Sequence, residues 1–142
     1  QQMKLMFLFS GFLLLSFFGC KSQQYSFEEL PEKQLIFGSG GGMSGAVDTY
    51  VLLENGQFFH TNSLTGEVKE LESVSKKEAK QCFGKLEELS LSEMDFDHPG
   101  NLYYFLEEVE GDESHRITWG ANNHEISEEC KTFYKELRTT IK

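Results

Sequence analysis

Three sets of residues in this chain are of types that could do chemistry. The first is Gly40-Gly-Gly-Met-Ser-Gly45, which satisfies the G-x-G-x-x-G spacing of a phosphate cradle. Such a cradle needs a helix directly behind the glycines, so that its N-terminal N–H groups face the pyrophosphate. Here the next residues are Ala46-Val-Asp-Thr-Tyr-Val-Leu-Leu53, a strand-type run, and Ala46-Val47 stands where a P-loop requires Lys-Ser/Thr. No nucleotide is expected. Two readings of the glycines remain. One is a flexible connection between strands; the other is a partner-contact segment, Gly41, Gly42, Met43, Ser44 and Gly45, whose backbone another molecule can approach closely.

The second set is the four histidines, His60, His98, His115 and His124. None belongs to an H-x-H or H-E-x-x-H pattern, so no metal or other cofactor is expected. No nucleophile elbow or other catalytic signature accompanies them, and most of the 23 Asp and Glu read as solvated faces and turns. The chain therefore reads as a non-enzyme. An envelope hydrolase, with His and carboxylates gathered around Trp119, is the third-ranked alternative.

The third set is Cys20, Cys82 and Cys130. Cys20 ends a run, Leu5 to Gly19, that is apolar and short of the about 20 residues a bilayer span needs. With Lys4 ahead of it, the run has the layout of an export signal; Met3 reads as the start, leaving Gln1 and Gln2 before it. The ending Phe17-Phe18-Gly19-Cys20 resembles the lipobox of bacterial lipoproteins, in a Phe-tolerant form. That resemblance implies cleavage before Cys20, acylation of Cys20 and anchoring of the chain in a membrane through its acyl chains. It also implies an envelope location, facing the periplasm from the outer membrane, because the first acid after Cys20 is as late as Glu28. Residues 1–19 are then a signal peptide, 20–32 a lipidated Cys with a polar tether, and 33–142 a single domain.

Such a compartment permits a Cys82–Cys130 disulfide, which loop entropy would make worth about 4 kcal/mol; two separate core thiols are the other reading. The chain has 13 basic residues against 23 acidic ones in 142, a formal charge of −10. Loss of Lys4 with the signal takes the remainder to −11. No basic face is available to neutralise phosphates, which argues against nucleic acid.

The elements that must position these residues follow from periodicity. Lys33–Phe37 is a short β run that stops at Gly38. Residues 46–54 alternate, with Val47, Thr49, Val51 and Leu53 on one face, and Asn55-Gly56 supplies a positive-φ pair for a hairpin closed by residues 57–61. Residues 67–72 could add an edge strand. Ser75-Lys-Lys-Glu78 is a capping box, opening a helix to about residue 90 whose stripe is Ala79, Cys82, Phe83, Leu86 and Leu89. Residues 102–109 and 114–120 form a second hairpin. A last helix starts near Ile126 or Ser127, with Cys130, Phe133, Tyr134, Leu137 and Ile141 as its stripe. The order β-β-β-α-β-β-α predicts an α+β fold, an antiparallel sheet of about five strands with two helices packed on one face.

Two further resemblances bear on function. Gly40–Gly45, Pro99-Gly100-Asn101 and Trp119-Gly120 resemble motifs of a group of small Bacteroidetes lipoproteins with no established activity to carry over. Ser39, Gly41, Gly42, Met43 and Gly45, with the element order behind them, resemble emfourin-type inhibitors of thermolysin-like metalloproteases, although Met43 replaces their usual Phe. That second resemblance implies inhibition by contact through residues 41–45, with a protease as the protein partner. The first expectation is a non-catalytic binding or structural module with an unknown protein partner; the inhibitor is the alternative.

Overall fold

The structure, a computed structural model, describes residues 23–142. The expected signal peptide, Cys20 and the first residues of the expected tether lie outside the described residues. Among the described residues no helix is long and apolar enough to cross a membrane.

The strands are β1 (Lys33–Gly41), β2 (Val47–Leu53), β3 (Phe58–Asn62), β4 (Val68–Leu71), β5 (Leu102–Glu110) and β6 (Glu113–Trp119). The helices are α1 (Lys76–Leu89) and α2 (Glu128–Thr139), with a short 3₁₀ turn at Leu91–Glu93. All six strands form one antiparallel sheet in the order β4-β3-β2-β1-β5-β6. The fold is α+β as expected, and the sixth strand is the edge strand that residues 67–72 suggested.

Pleating sorts the strand residues between two faces. Leu35, Phe37, Leu52, Phe58, Leu106, Ile117 and Trp119 are buried in one core with Ala79, Phe83 and Leu86 of α1 and Cys130, Phe133, Tyr134 and Leu137 of α2. Both helices start where a serine can accept from the backbone: Ser75 from the N–H of Glu78 at 3.1 Å, Ser127 from that of Cys130 at 3.4 Å.

Cys82 and Cys130 are two separate thiols. One concavity brings Glu78, Gln81 and Cys82 of α1 beside Glu136, Leu137 and Thr140, and another brings Glu88 and Leu89 beside Glu128 and Glu129. The helices are therefore antiparallel, and Cys82 lies level with Leu137. Seven helical residues, about 10 Å of rise, separate that level from Cys130, beyond the reach of a disulfide. Cys130 Sγ lies 3.9 Å from Met94 Sδ instead, and burial pushes both thiols up in pKa.

The opposite face has its own smaller core. Val51, Leu53 and Phe59 are buried there against Ile36 and against Tyr25, Phe27 and Leu30. These last three belong to the segment expected to be a polar tether. From Gln23 onward it is a strap laid over the sheet, and it explains why β2 buries residues of both parities. The buried side chain of Gln57 clasps it: Oε1 accepts from the Tyr25 N–H at 2.8 Å, and Nε2 donates to the Tyr25 carbonyl at 3.0 Å. Phe27 packs on Phe59 with ring centroids 5.7 Å apart.

The β2–β3 turn also differs from expectation, since Gly56 alone has a positive φ, +95°. The loop has three residues, Glu54–Gly56, closed by the Leu53 N–H to the Gln57 carbonyl at 3.0 Å. Asn55 uses its side chain elsewhere, donating to the Gln23 carbonyl and to Gln57 Oε1, both at 2.8 Å.

Candidate binding surface at the glycine end of the sheet

Strand β1 does not stop at Gly38 but runs on through Gly41, paired on both sides. Aromatic residues of β5 stand directly across from its glycines, Phe105 opposite Gly38 and Tyr103 opposite Gly40. A Cβ on Gly38 would collide with the Asp48 carbonyl and the Phe105 ring, and one on Gly40 with the Tyr103 phenol. These two glycines are the gap into which the aromatic rings fit. The Arg116 guanidinium, forked onto Glu107 at 2.7 and 3.1 Å, lies 4.2 Å from the Phe105 ring centroid and completes that cover.

What remains of the expected loop is a tight turn. Gly41, Gly42 and Gly45 have φ of +93°, +76° and +65°, a region open to glycine at little cost. The turn is tied down by the Gly42 N–H to the Asn101 carbonyl at 2.9 Å and the Gly41 N–H to the Ala46 carbonyl at 3.2 Å. The Ala46 N–H donates to Ser44 Oγ at 3.2 Å. Residues 42–46 connect β1 to β2, a placement that both readings of the glycines share. Met43 stands fully exposed at its tip, and Leu102, 56% exposed, packs beside Gly42.

Strand direction brings other segments to this end: the β3–β4 turn with exposed Leu64, the Pro99–Asn101 turn, and Trp119-Gly120. On the helix side Tyr104, Trp119 and Tyr134 form an aromatic triad with centroids 5.3–6.0 Å apart. Burial pushes the Tyr134 phenol up in pKa, with the Arg138 charge opposing it.

Farther along the same face, Asp48 Oδ1 is 2.8 Å from His60 Nε2 and accepts from Asn62 Nδ2 at 3.0 Å. These two partners hold the Asp48 carboxyl below its usual range. The His60 ring stacks on Tyr50 at 4.7 Å, and Arg138 reaches over Tyr50 from α2 at 5.2 Å. A carboxylate–imidazole pair orients a base, but no Ser, Thr or Cys among the described residues is hydrogen-bonded to His60. His98 and His124 stack on each other at 3.7 Å, and His115 contacts the Met94 carbonyl. Trp119 packs against the rings of Tyr104 and Tyr134, and the Asp97-His98 segment pairs with Thr118 next to it. Among the described residues no three His, Cys, Asp or Glu side chains come together as metal ligands.

A concavity of about 680 Å³ lies at the opposite end, lined by Glu87, Glu93, Glu108, Glu110, Asp112 and Glu113 with Lys33 and His115. Burial and the Glu110 charge push the Glu108 carboxyl up in pKa.

Sequence reasoning singled out residues 41–45, and the structure adds Leu102, Leu64 and the Asp48–His60–Asn62 set to the same end. The period-2 pairing of Asp48 with Tyr50, and of His60 with Asn62, was the available signal for that set. No protein-family model matches the chain, and no curated protein matches it either.

Proposed function

We propose that this chain is a lipid-anchored protein of the cell envelope, held by acyl chains on Cys20 at the periplasmic face of the outer membrane, with a non-catalytic binding domain. The observation that carries the anchor is the Phe17-Phe18-Gly19-Cys20 ending of a short apolar run that follows a single lysine. Several acyl chains on one residue suffice for stable membrane attachment, since each buried CH₂ contributes about 0.8 kcal/mol. The binding role is supported by the restrained turn of residues 41–45, which holds Met43 in water next to Leu102 without any core to satisfy. Cys20→Ala in the native host tests the anchor. The protein is expected to leave the membrane fraction, and a processed Cys20→Ala form that still sediments with membranes would refute it.

A second reading rests on the same turn. As an emfourin-like inhibitor, the protein would present residues 41–45 to a thermolysin-like metalloprotease, the partner being a protein cleft rather than a small molecule. The full chain, titrated against a panel of such proteases, should then slow cleavage stoichiometrically. Met43→Asp should abolish that effect, and absence of inhibition across the panel removes this reading while leaving the anchored binding module intact.

A further inference from the structure

The β2–β3 turn joins two residues that the fold needs for unrelated reasons. Gly56 is required by the backbone: its φ is +95°, and a Cβ there would lie 2.2 Å from the Val74 carbonyl oxygen. Asn55 is required by the strap, since its Nδ2 donates to the Gln23 carbonyl and to Gln57 Oε1, both at 2.8 Å. The result is Asn55-Gly56, the only Asn-Gly pair in the 142 residues. Such a pair is chemically labile. A main-chain nitrogen can attack the side-chain amide carbon of the asparagine before it, and glycine leaves that nitrogen open to close approach.

With the strap seated, every group this reaction needs is engaged. The Gly56 N–H donates to the Leu53 carbonyl at 3.0 Å, and Asn55 Oδ1 accepts from the Gln57 N–H at 2.9 Å. Together with the two bonds from Nδ2, these hold the Asn55 amide in one orientation. The Gln23 carbonyl belongs to the strap, and the Gln57 side chain is itself held by the Tyr25 main chain. Lifting the strap therefore frees the Asn55 side chain to turn toward the Gly56 nitrogen.

We propose that Asn55 is a modification site gated by the strap: its amide is lost through a cyclic imide with Gly56, and the acid that results keeps the strap from reseating. In the first step a bond forms between Gly56 N and Asn55 Cγ, the Cγ–Nδ2 bond breaks, and ammonia leaves with the Gly56 proton. Water then opens the ring at either carbonyl, giving aspartate or isoaspartate at position 55. A carboxylate now stands where the donor was, and it faces two acceptors, Gln57 Oε1 and the Gln23 carbonyl. Gln57 cannot reverse its amide to help, because Nε2 already serves the Tyr25 carbonyl at 3.0 Å and Glu70 Oε1 at 3.1 Å. Acceptors left facing one another without a proton between them destabilise the clasp. Each opening of the strap exposes Asn55 for a time, and the change, being covalent, accumulates.

The test follows position 55 in the full chain, held in mildly alkaline buffer and sampled by peptide mapping that separates asparagine, aspartate and isoaspartate. The exposed Asn122-Asn123 pair is the internal reference. Phe27→Ala removes the contact with Phe59 and leaves the turn untouched. It should speed conversion of Asn55 about tenfold, as more frequent local opening would, and leave conversion of Asn122 unchanged. Asn55→Asp should accelerate hydrogen exchange in residues 24–32 while α1 and α2 stay protected. Equal conversion of Asn55 in the parent and in Phe27→Ala overturns the gating. An Asn55→Asp chain whose residues 24–32 exchange as slowly as the parent's overturns the unlatching. Asn55 still intact in both chains after Asn122 has been converted overturns the site itself.

Discussion

The two faces of the sheet are buried by different means. On one, two amphipathic helices bring seven fully packed side chains, Ala79, Phe83, Leu86, Cys130, Phe133, Tyr134 and Leu137, against the strands. On the other, the ten-residue strap contributes only Tyr25, Phe27 and Leu30, all partly exposed, and is held by a few hydrogen bonds, chiefly those of the Gln57 and Asn55 side chains. The first face obtains its cohesion from area, at about 25 cal/mol per Å² removed from water. The second depends on a few directional bonds around a buried polar side chain, which are costly when left half made. A sheet can thus be closed by a bulky layer where the chain has helices to spare and by a clasp where it does not.

Substitutions on each face should separate these mechanisms. The largest effect belongs to the helix side: Phe37→Ala, at a fully buried position touching Tyr50, Phe58 and Tyr134, should cost about 4 kcal/mol in chemical denaturation. Next comes Gly38→Ala. Its methyl would meet the Asp48 backbone as well as Phe105, and a loss of about 3 kcal/mol is expected; a loss below about 1 kcal/mol would mean that β1 and β2 slide apart easily.

Gln57→Ala is expected to cost about 2 kcal/mol, mainly by stranding the Tyr25 backbone. Its signature should be regional: hydrogen exchange should accelerate in residues 24–32 and leave α1 and α2 protected. Uniform acceleration would erase the distinction between the faces. The smallest effect concerns acid. Because Asn62 and His60 hold the Asp48 carboxyl below its ordinary range, the carboxylate stabilises the folded state at any pH above the unfolded chain's value. The contribution is lost as pH falls through the lower, folded-state value. Asp48→Asn should therefore flatten the acid side of the melting-temperature profile slightly, with little change near neutrality.

The helices were legible because their signals are local. Apolar residues three and four apart, with a serine in front, determine both a stripe and a start, and both starts fall within two residues of expectation. The glycines of β1 were not legible as strand, since glycine carries no strand preference of its own; what keeps Gly38 and Gly40 extended is Phe105 and Tyr103 from a strand more than 60 residues later. The strap was missed for a related reason. Tyr25, Phe27 and Leu30 are sparse among polar residues, and only the unspent outer face of β2 and β3 gives them something to cover. Asn55-Gly56 signals a turn through its backbone, whereas the Asn55 side chain is what the fold uses. At the candidate site, residues 41–45 stood out by composition, but Leu102 and Leu64 join them only through sheet order.

Gln57 also sets how the domain bears load. A chain pulled by its N-terminal end transmits force first to the Asn55 and Gln57 bonds, before any strand of the sheet is stressed. Those few bonds are the weak link, so the strap should peel away while the helix-backed core remains folded. Ten freed residues add about 35 Å of slack, a length that single-molecule extension would register as a first, reversible step. The clasp is in this sense a mechanical fuse: it yields to a tug on the N-terminal end and reseats when the tension is gone.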